Sequence, residues 1–205
     1  MNIWYLVKIG GVTMVVLLVM SVVSVAIILE RFIFYRKKAK LKRKDFMLTI
    51  RQELKNKDLG RAIKICESSN APFAQVTHAG LSFLDCSEKE ISNNMERQII
   101  IETVTLERFT SGVGTIGSVA VYIGLLGTIL GILKAFHDVS ISGSGGIGVI
   151  IGGISEALST TAAGLCVAVP AVAAYNYFMK KIDDFIKDME LAASETMDLI
   201  SIIKK

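Results

Sequence analysis

From Ala157 to Met179 no side chain carries a charge. A helix of that length crosses the roughly 30 Å apolar core of a bilayer. In that core only a helix or a closed barrel satisfies every backbone amide, so this one stretch rules out most soluble architectures. One of its faces is made of small residues: Gly153, Ala157, Thr161, Gly164, Ala168 and Ala171 recur at spacings of four or three. Small side chains let backbones approach closely in lipid, which predicts a helix–helix seam rather than a lipid-facing surface. The same segment holds one acid, Glu156, a hydroxyl run, Ser159, Thr160 and Thr161, and one proline, Pro170. A polar, proline-bearing span of small residues is a poor anchor and suits the lining of a pathway.

Two further apolar runs accompany it. The first, residues 9–29, is too long for the core of a signal peptide, and a basic stop-transfer sequence beginning at Arg31 follows it. It is rich in valine and isoleucine, which predicts a lipid-facing, peripheral span. Trp4 and Tyr5 before it suit the membrane–water interface. The second, residues 109–136, has its small residues at Ala120, Gly124, Gly127, Thr128, Gly131 and Ala135, a seam of the same kind as that of residues 147–179. A composition that is 52% hydrophobic with mean hydropathy +0.52 fits an integral membrane protein. Eight basic residues and no acid lie between Arg31 and Lys44. The positive-inside rule then puts that end in the cytoplasm and the amino terminus outside. The basic run also suits contact with anionic membrane lipids.

The expected fold class is therefore all-α: an integral membrane protein with three transmembrane helices, long cytoplasmic helical extensions, an outer amino terminus and an inner carboxyl terminus. One folding unit is expected over 1–205. Residues 31–108 form a cytoplasmic helical section, 137–146 an external loop, and 180–205 a cytoplasmic helix. Asp58 is placed to cap a short helix, Pro72 to open another, and Ser87-Glu-Lys-Glu90 to form a capping box. From that box one long helix is expected to rise into the second span. Phe178, Ile182, Phe185, Met189, Ala192, Thr196, Leu199 and Ile203 form an amphipathic stripe. The Ser-Gly-rich segment 142–146 lacks the Gly-Lys-Ser/Thr of a phosphate loop. Cys66, Cys86 and Cys166 have no zinc or disulfide spacing and read as small buried hydrophobes. His78 reads as structural. No metal, cofactor or nucleic acid is expected, and no nucleophile–base pair falls within an apolar span to support an enzyme.

Glu156 is the one carboxylate placed to enter the membrane, where an acid costs about 2.5–3.5 kcal/mol at the midplane and usually serves a purpose or finds a partner. Thr161 lies five residues deeper, and Thr128 stands on the small face of the second span. Each hydroxyl can hold a water or bond back to its own helix. Together, on facing seams, they predict a wet groove with no deep titratable group, completed by a helix from another chain. Pro170 crowds the carbonyl of Cys166, giving either a tolerated kink or a bend that widens the inner end of the groove.

The segments Tyr122–Phe136 and Gly153–Asn176 resemble the MotA/TolQ/ExbB proton-channel family, and the wording Ser-Glu-Ala-Leu-Ser-Thr-Thr-Ala-Ala-Gly is nearest its ExbB branch. The resemblance implies an inner-membrane homopentamer around a dimer of a single-span, ExbD-like partner that brings a titratable aspartate. It also implies a TonB-like transducer that passes proton-motive force to outer-membrane uptake of iron chelates or vitamin B12. By position it makes Thr128, Thr161 and Glu156, with the adjacent Thr160, pathway residues. Gly124, Gly127, Gly131, Ala157, Gly164 and Ala168 are then the packing seam, and Pro170 the kink. One departure stands at Val121, where many relatives have proline. A TolQ-like role in the Tol-Pal envelope system and a non-conducting scaffold are the alternatives.

Overall fold

The computed structural model describes residues 3–142 and 147–204. The expectations for the side chains of Trp4 and Tyr5, and for segment 143–146, fall outside the described residues. Seven helices run in order among the described residues: α1 Ile3–Lys38, α2 Arg43–Lys55, α3 Leu59–Glu67, α4 Pro72–Leu81, α5 Glu88–Glu107, α6 Thr110–Ser142 and α7 Ile147–Ile203. Three helices among the described residues are long and apolar enough to cross a membrane. Sequence patterning predicts one unit over 1–205; the packing divides the chain into two. One unit is Met1–Glu30 with Phe109–Tyr177, and the other is Arg31–Arg108 with Phe178–Lys205.

Two expectations for helix limits need correction. The continuous helix from the capping box into the second span is broken. Arg108 is extended (ψ 131°), and Phe109 takes a left-handed φ of 65° before α6 begins. No glycine or proline marks this break in the sequence. At the other end, the loop expected over 137–146 is helical through Ser142.

In the first unit, buried positions on α6 fall at Val113, Gly117, Ala120, Gly124, Gly127 and Ala135, one helical face that alternates spacings of four and three as far as Gly127. They meet an equivalent face of α7 in antiparallel order. Gly117 faces Ala171 and Val172, Gly124 faces Gly164, and Gly131 faces Ala157. A Cβ added to Gly164 would stand 2.7 Å from the Ala120 carbonyl oxygen. That separation permits only glycine, because the obstacle is backbone. Leu17 of α1 closes the seam from one side, in a cluster with Ala120 and Ala168. Most of the remaining α1 surface is exposed valine and leucine, including Val19 and Val22. Gly11 interrupts α1 at φ 56° and ψ −147°, a conformation that essentially only glycine adopts.

The second unit is built differently. Tyr35 is 3% exposed, stacks at 5.4 Å on Phe178, and donates its hydroxyl to the Leu106 carbonyl at 2.8 Å. The expected stripe on α7 is buried from Phe178 through Leu199, whereas Ile203 is exposed. Asp58 caps α3 by accepting from the Arg61 amide, Pro72 opens α4, and Ser87 and Glu90 form a reciprocal capping box. Lys38 pairs with the largely buried Glu102 at 3.0 Å, and Arg43 bridges Asp188 and Glu195. His78 stands 3.6 Å from the Glu67 carboxylate.

The cysteines part company. Cys66 is fully buried, and burial pushes its thiol up to about 12, which leaves it inert at neutral pH. Cys86 is half-buried and Cys166 is exposed, so the expectation of three buried hydrophobes holds for Cys66 alone. Exposure costs Cys166 little, because its neighbour on the same apolar helix face, Leu165, is exposed as well.

Candidate ion-path cleft in the first unit

The small-residue seam decides where polar groups can gather. At the level of Gly124 and Gly164 the backbones touch: a Cβ on Gly124 would lie 3.1 Å from the Gly164 Cα and 3.1 Å from the Thr160 carbonyl oxygen. Water does not fit between α6 and α7 there, which corrects the expectation of a wet groove along the two facing seams. The contact persists on both sides of Pro170, through Ala168 on one side and Val172 on the other. α7 itself runs through Pro170 as a single helix, so the seam is not opened at that level.

The hydroxyls expected to line the path take three different positions. Thr160 is 2% exposed and lies within the seam; it donates to its own Ala157 carbonyl at 2.7 Å, with the Gly124 carbonyl of α6 at 3.5 Å. Thr161 is half-buried and donates across to the same Gly124 carbonyl at 3.1 Å. A tightly packed glycine carbonyl thus receives a hydroxyl from the facing helix, an arrangement that replaces hydration in lipid. Thr128 donates to the Leu125 carbonyl of its own helix, the local back-bond open to any helical threonine.

A cleft does exist, at the end of the seam nearest Lys134. It encloses about 200 Å³ and has three walls. α7 contributes Glu156, Ala157 and Thr160, α6 contributes Gly127, Leu130, Gly131 and Lys134, and α1 contributes Gly11, Val12 and Thr13. Thr13 and Thr160 converge on Gly127, whose missing side chain makes the room. A Cβ there would come within 2.5 Å of the Thr160 hydroxyl oxygen and 3.0 Å of that of Thr13. Of the four residues expected to line a pathway, the cleft brings Glu156 and Thr160 together. Thr161 lies deeper in the seam and Thr128 on its edge.

Two polar residues of the cleft escape the sequence reading. Lys134 stands within residues 109–136 with no role assigned to it. Thr13 belongs to a span that reads as peripheral, yet it is the one threonine between Ile3 and Lys38 and follows the Gly10-Gly11 pair. That pairing of a lone hydroxyl with a helix break is the signal available in the sequence. Among the described residues no three His, Cys, Asp or Glu side chains gather to hold a metal ion.

What the cleft can do chemically follows from its groups. A carboxylate and hydroxyls that donate and accept can exchange protons through water. The pocket volume admits several waters, since one needs roughly 10–15 Å³ of accessible space.

Residues 68–191 match the model of the MotA/TolQ/ExbB proton channel family, a segment that includes both seams, Lys134, Glu156 and Thr160 but not Thr13. The chain is 28% identical over 198 residues to the biopolymer transport protein ExbB of Salmonella typhimurium, covering 92% of this chain and 80% of that one. It is 30% identical over 171 residues to a putative ExbB-like biopolymer transport protein of Synechocystis, covering 82% and 81%. Against the ExbB of Helicobacter pylori the identity rises to 48% over 64 residues, 31% of this chain and 44% of that protein. With its membrane-length helices, its glycine seam and these matches over most of its length, the chain is a multi-pass membrane protein and belongs to the MotA/TolQ/ExbB proton channel family.

Proposed function

We propose that the chain is the proton-conducting ring subunit of an inner-membrane complex that turns proton-motive force into work on outer-membrane transport. The observation that carries this reading is the cleft itself. The spans hold one carboxylate, Glu156, and it lies on a water-sized opening with a buried hydroxyl, whereas the rest of the seam is shut. An acid kept at that position is functional by default, because an uncompensated one is costly.

In this reading the amino terminus is outside and the basic run 31–44 is in the cytoplasm. Five copies surround a dimer of single-span, ExbD-like partner helices, which supply the titratable aspartate absent from this chain's deep seam. A groove on the outward face of α7, lined by Ile154, Ser155, Leu158 and Ala162, offers a partner helix an apolar seat. The electrical part of the force supplies about 2.3 kcal/mol per proton per 100 mV. A TonB-like transducer then carries the motion to receptors for iron chelates or vitamin B12. Glu156, Thr160, Thr161 and Thr128 serve the path, and Gly124, Gly127, Gly131, Ala157, Gly164 and Ala168 hold it in place. Pro170 lies inside α7 below them.

Proton flux into vesicles carrying the chain with its single-span partner tests the reading, alongside growth on a chelated iron source. Glu156→Gln or Thr161→Val is expected to cut both by about tenfold or more while the ring still assembles. Normal growth and flux in both variants would leave a packing scaffold as the better description.

A further inference from the structure

The cleft has a chemical asymmetry that proton transfer alone does not explain. Glu156, Thr13 and Thr160, which carry oxygen-bearing side chains, all line it. The two hydroxyls meet at Gly127, where glycine leaves them the space of a side chain. A carboxylate with neutral oxygens around it is the ligand set that hard metal cations favour. One lining residue contradicts that use: Lys134, an ammonium on α6, in the same opening as the carboxylate.

We propose that Lys134 is a specificity-determining residue, which keeps metal cations off the Glu156 carboxylate and so reserves the cleft for protons. The inference deepens the ion-path reading and rests on it. An ammonium lining the same cleft as the carboxylate supplies positive charge there and repels a sodium or potassium ion that enters. A proton requires no shell of oxygens. It passes along waters and hydroxyls, and neutralises the carboxylate without displacing the ammonium. α1 takes part in the device through Thr13, which lies outside the segment matched by the family model.

The test reads cation binding directly. The detergent-purified full chain is treated with dicyclohexylcarbodiimide, and the adduct at Glu156 is followed by mass spectrometry in sodium chloride or in choline chloride of equal strength. In the native chain and in Lys134→Arg, labelling is expected to proceed at the same rate in both salts. In Lys134→Gln, ~100 mM sodium is expected to slow it about fivefold, by mass action on a newly accessible site. Lys134→Met replaces Lys134→Gln, with the same expectation, if the glutamine variant does not accumulate. Equal rates in both salts for the uncharged variant, or sodium protection already present in the native chain, overturns the proposal. A Glu156 that labels in none of the chains overturns it as well, since a carboxylate on an open cleft must be reachable. Flux through the native complex is measured separately. A complex that conducts no protons ends the ion-path reading, whereas flux with no sodium effect in Lys134→Gln ends only the selectivity proposal.

Discussion

Gly164, in the first unit, and Gly80, in the other, share one measure of crowding. A Cβ added to either would stand 2.7 Å from its nearest neighbour. The neighbours differ in kind. At Gly164 it is the Ala120 carbonyl oxygen, with the Gly124 backbone at 3.0 and 3.3 Å behind it. At Gly80 it is the sulfur of Met95, followed by a methyl of Thr196. The first unit is held by main chain against main chain, which cannot move without parting two helices. The second is held by side chains, and methionine is the one that adjusts most readily. Close packing in lipid therefore leaves a different tolerance for change from close packing around an aromatic core.

The sharpest way to break this contrast is to make one small change at both positions. Gly164→Ala is expected to cost about 3 kcal/mol or more through overpacking against an immovable carbonyl. It should appear as severe loss of membrane-inserted protein and of thermal stability in detergent. Gly80→Ala is expected to fall within about 1 kcal/mol of the unchanged protein, because the gain in helix propensity offsets the displacement of Met95. Equal losses in the two variants, by thermal unfolding of the purified chains, would show that the distinction between backbone and side-chain contacts is wrong.

A smaller effect separates the units by pH. Hydrogen bonds from the Ser87 hydroxyl and the Ser87 amide hold the Glu90 carboxyl below its ordinary value. A carboxyl lowered on folding contributes stability that is present above its unfolded value near 4.5 and is lost as pH falls through the lower folded value. Amide exchange at the start of α5 should therefore speed up below that range, and Ser87→Ala, which removes the hydroxyl but keeps the amide donor, should weaken the pH dependence. Amides of the α6–α7 seam around Gly124 and Gly164 should not follow. A seam that responds in parallel would mean that the two units do not open independently.

How much of this was legible in the sequence depended on whether a contact left a local mark. The caps at Asp58 and Ser87 did so, because capping needs particular residues at particular offsets. The glycine seam did so through its spacing, although spacing left one ambiguity. Ala157, Thr161, Gly164 and Ala157, Thr160, Gly164 both alternate four and three, and the structure buries Thr160 more deeply. The two residues lie about 100° apart around a helix, so packing against α6 decides between them. The break at Phe109 left no mark, since a bulky residue at positive φ is fixed by tertiary structure rather than by propensity. Thr13 and Lys134 were hidden for a similar reason: each is ordinary within its own helix and becomes part of the cleft only where α1, α6 and α7 meet.

The second unit draws on two separate stretches of chain, and this has a consequence during synthesis. Residues 31–108 leave the ribosome with Ile91 and Met95 already made, but the α7 residues that complete the core, among them Ile182, Met189 and Ala192, lie beyond residue 177. At about 5–20 residues per second, translation of the intervening 109–177 takes roughly 3–14 s. For that interval the nascent section 31–108 is an unfinished core, open to chaperones and proteases. Only chains in which α7 has been translated can close it, so truncated products are left exposed for clearance.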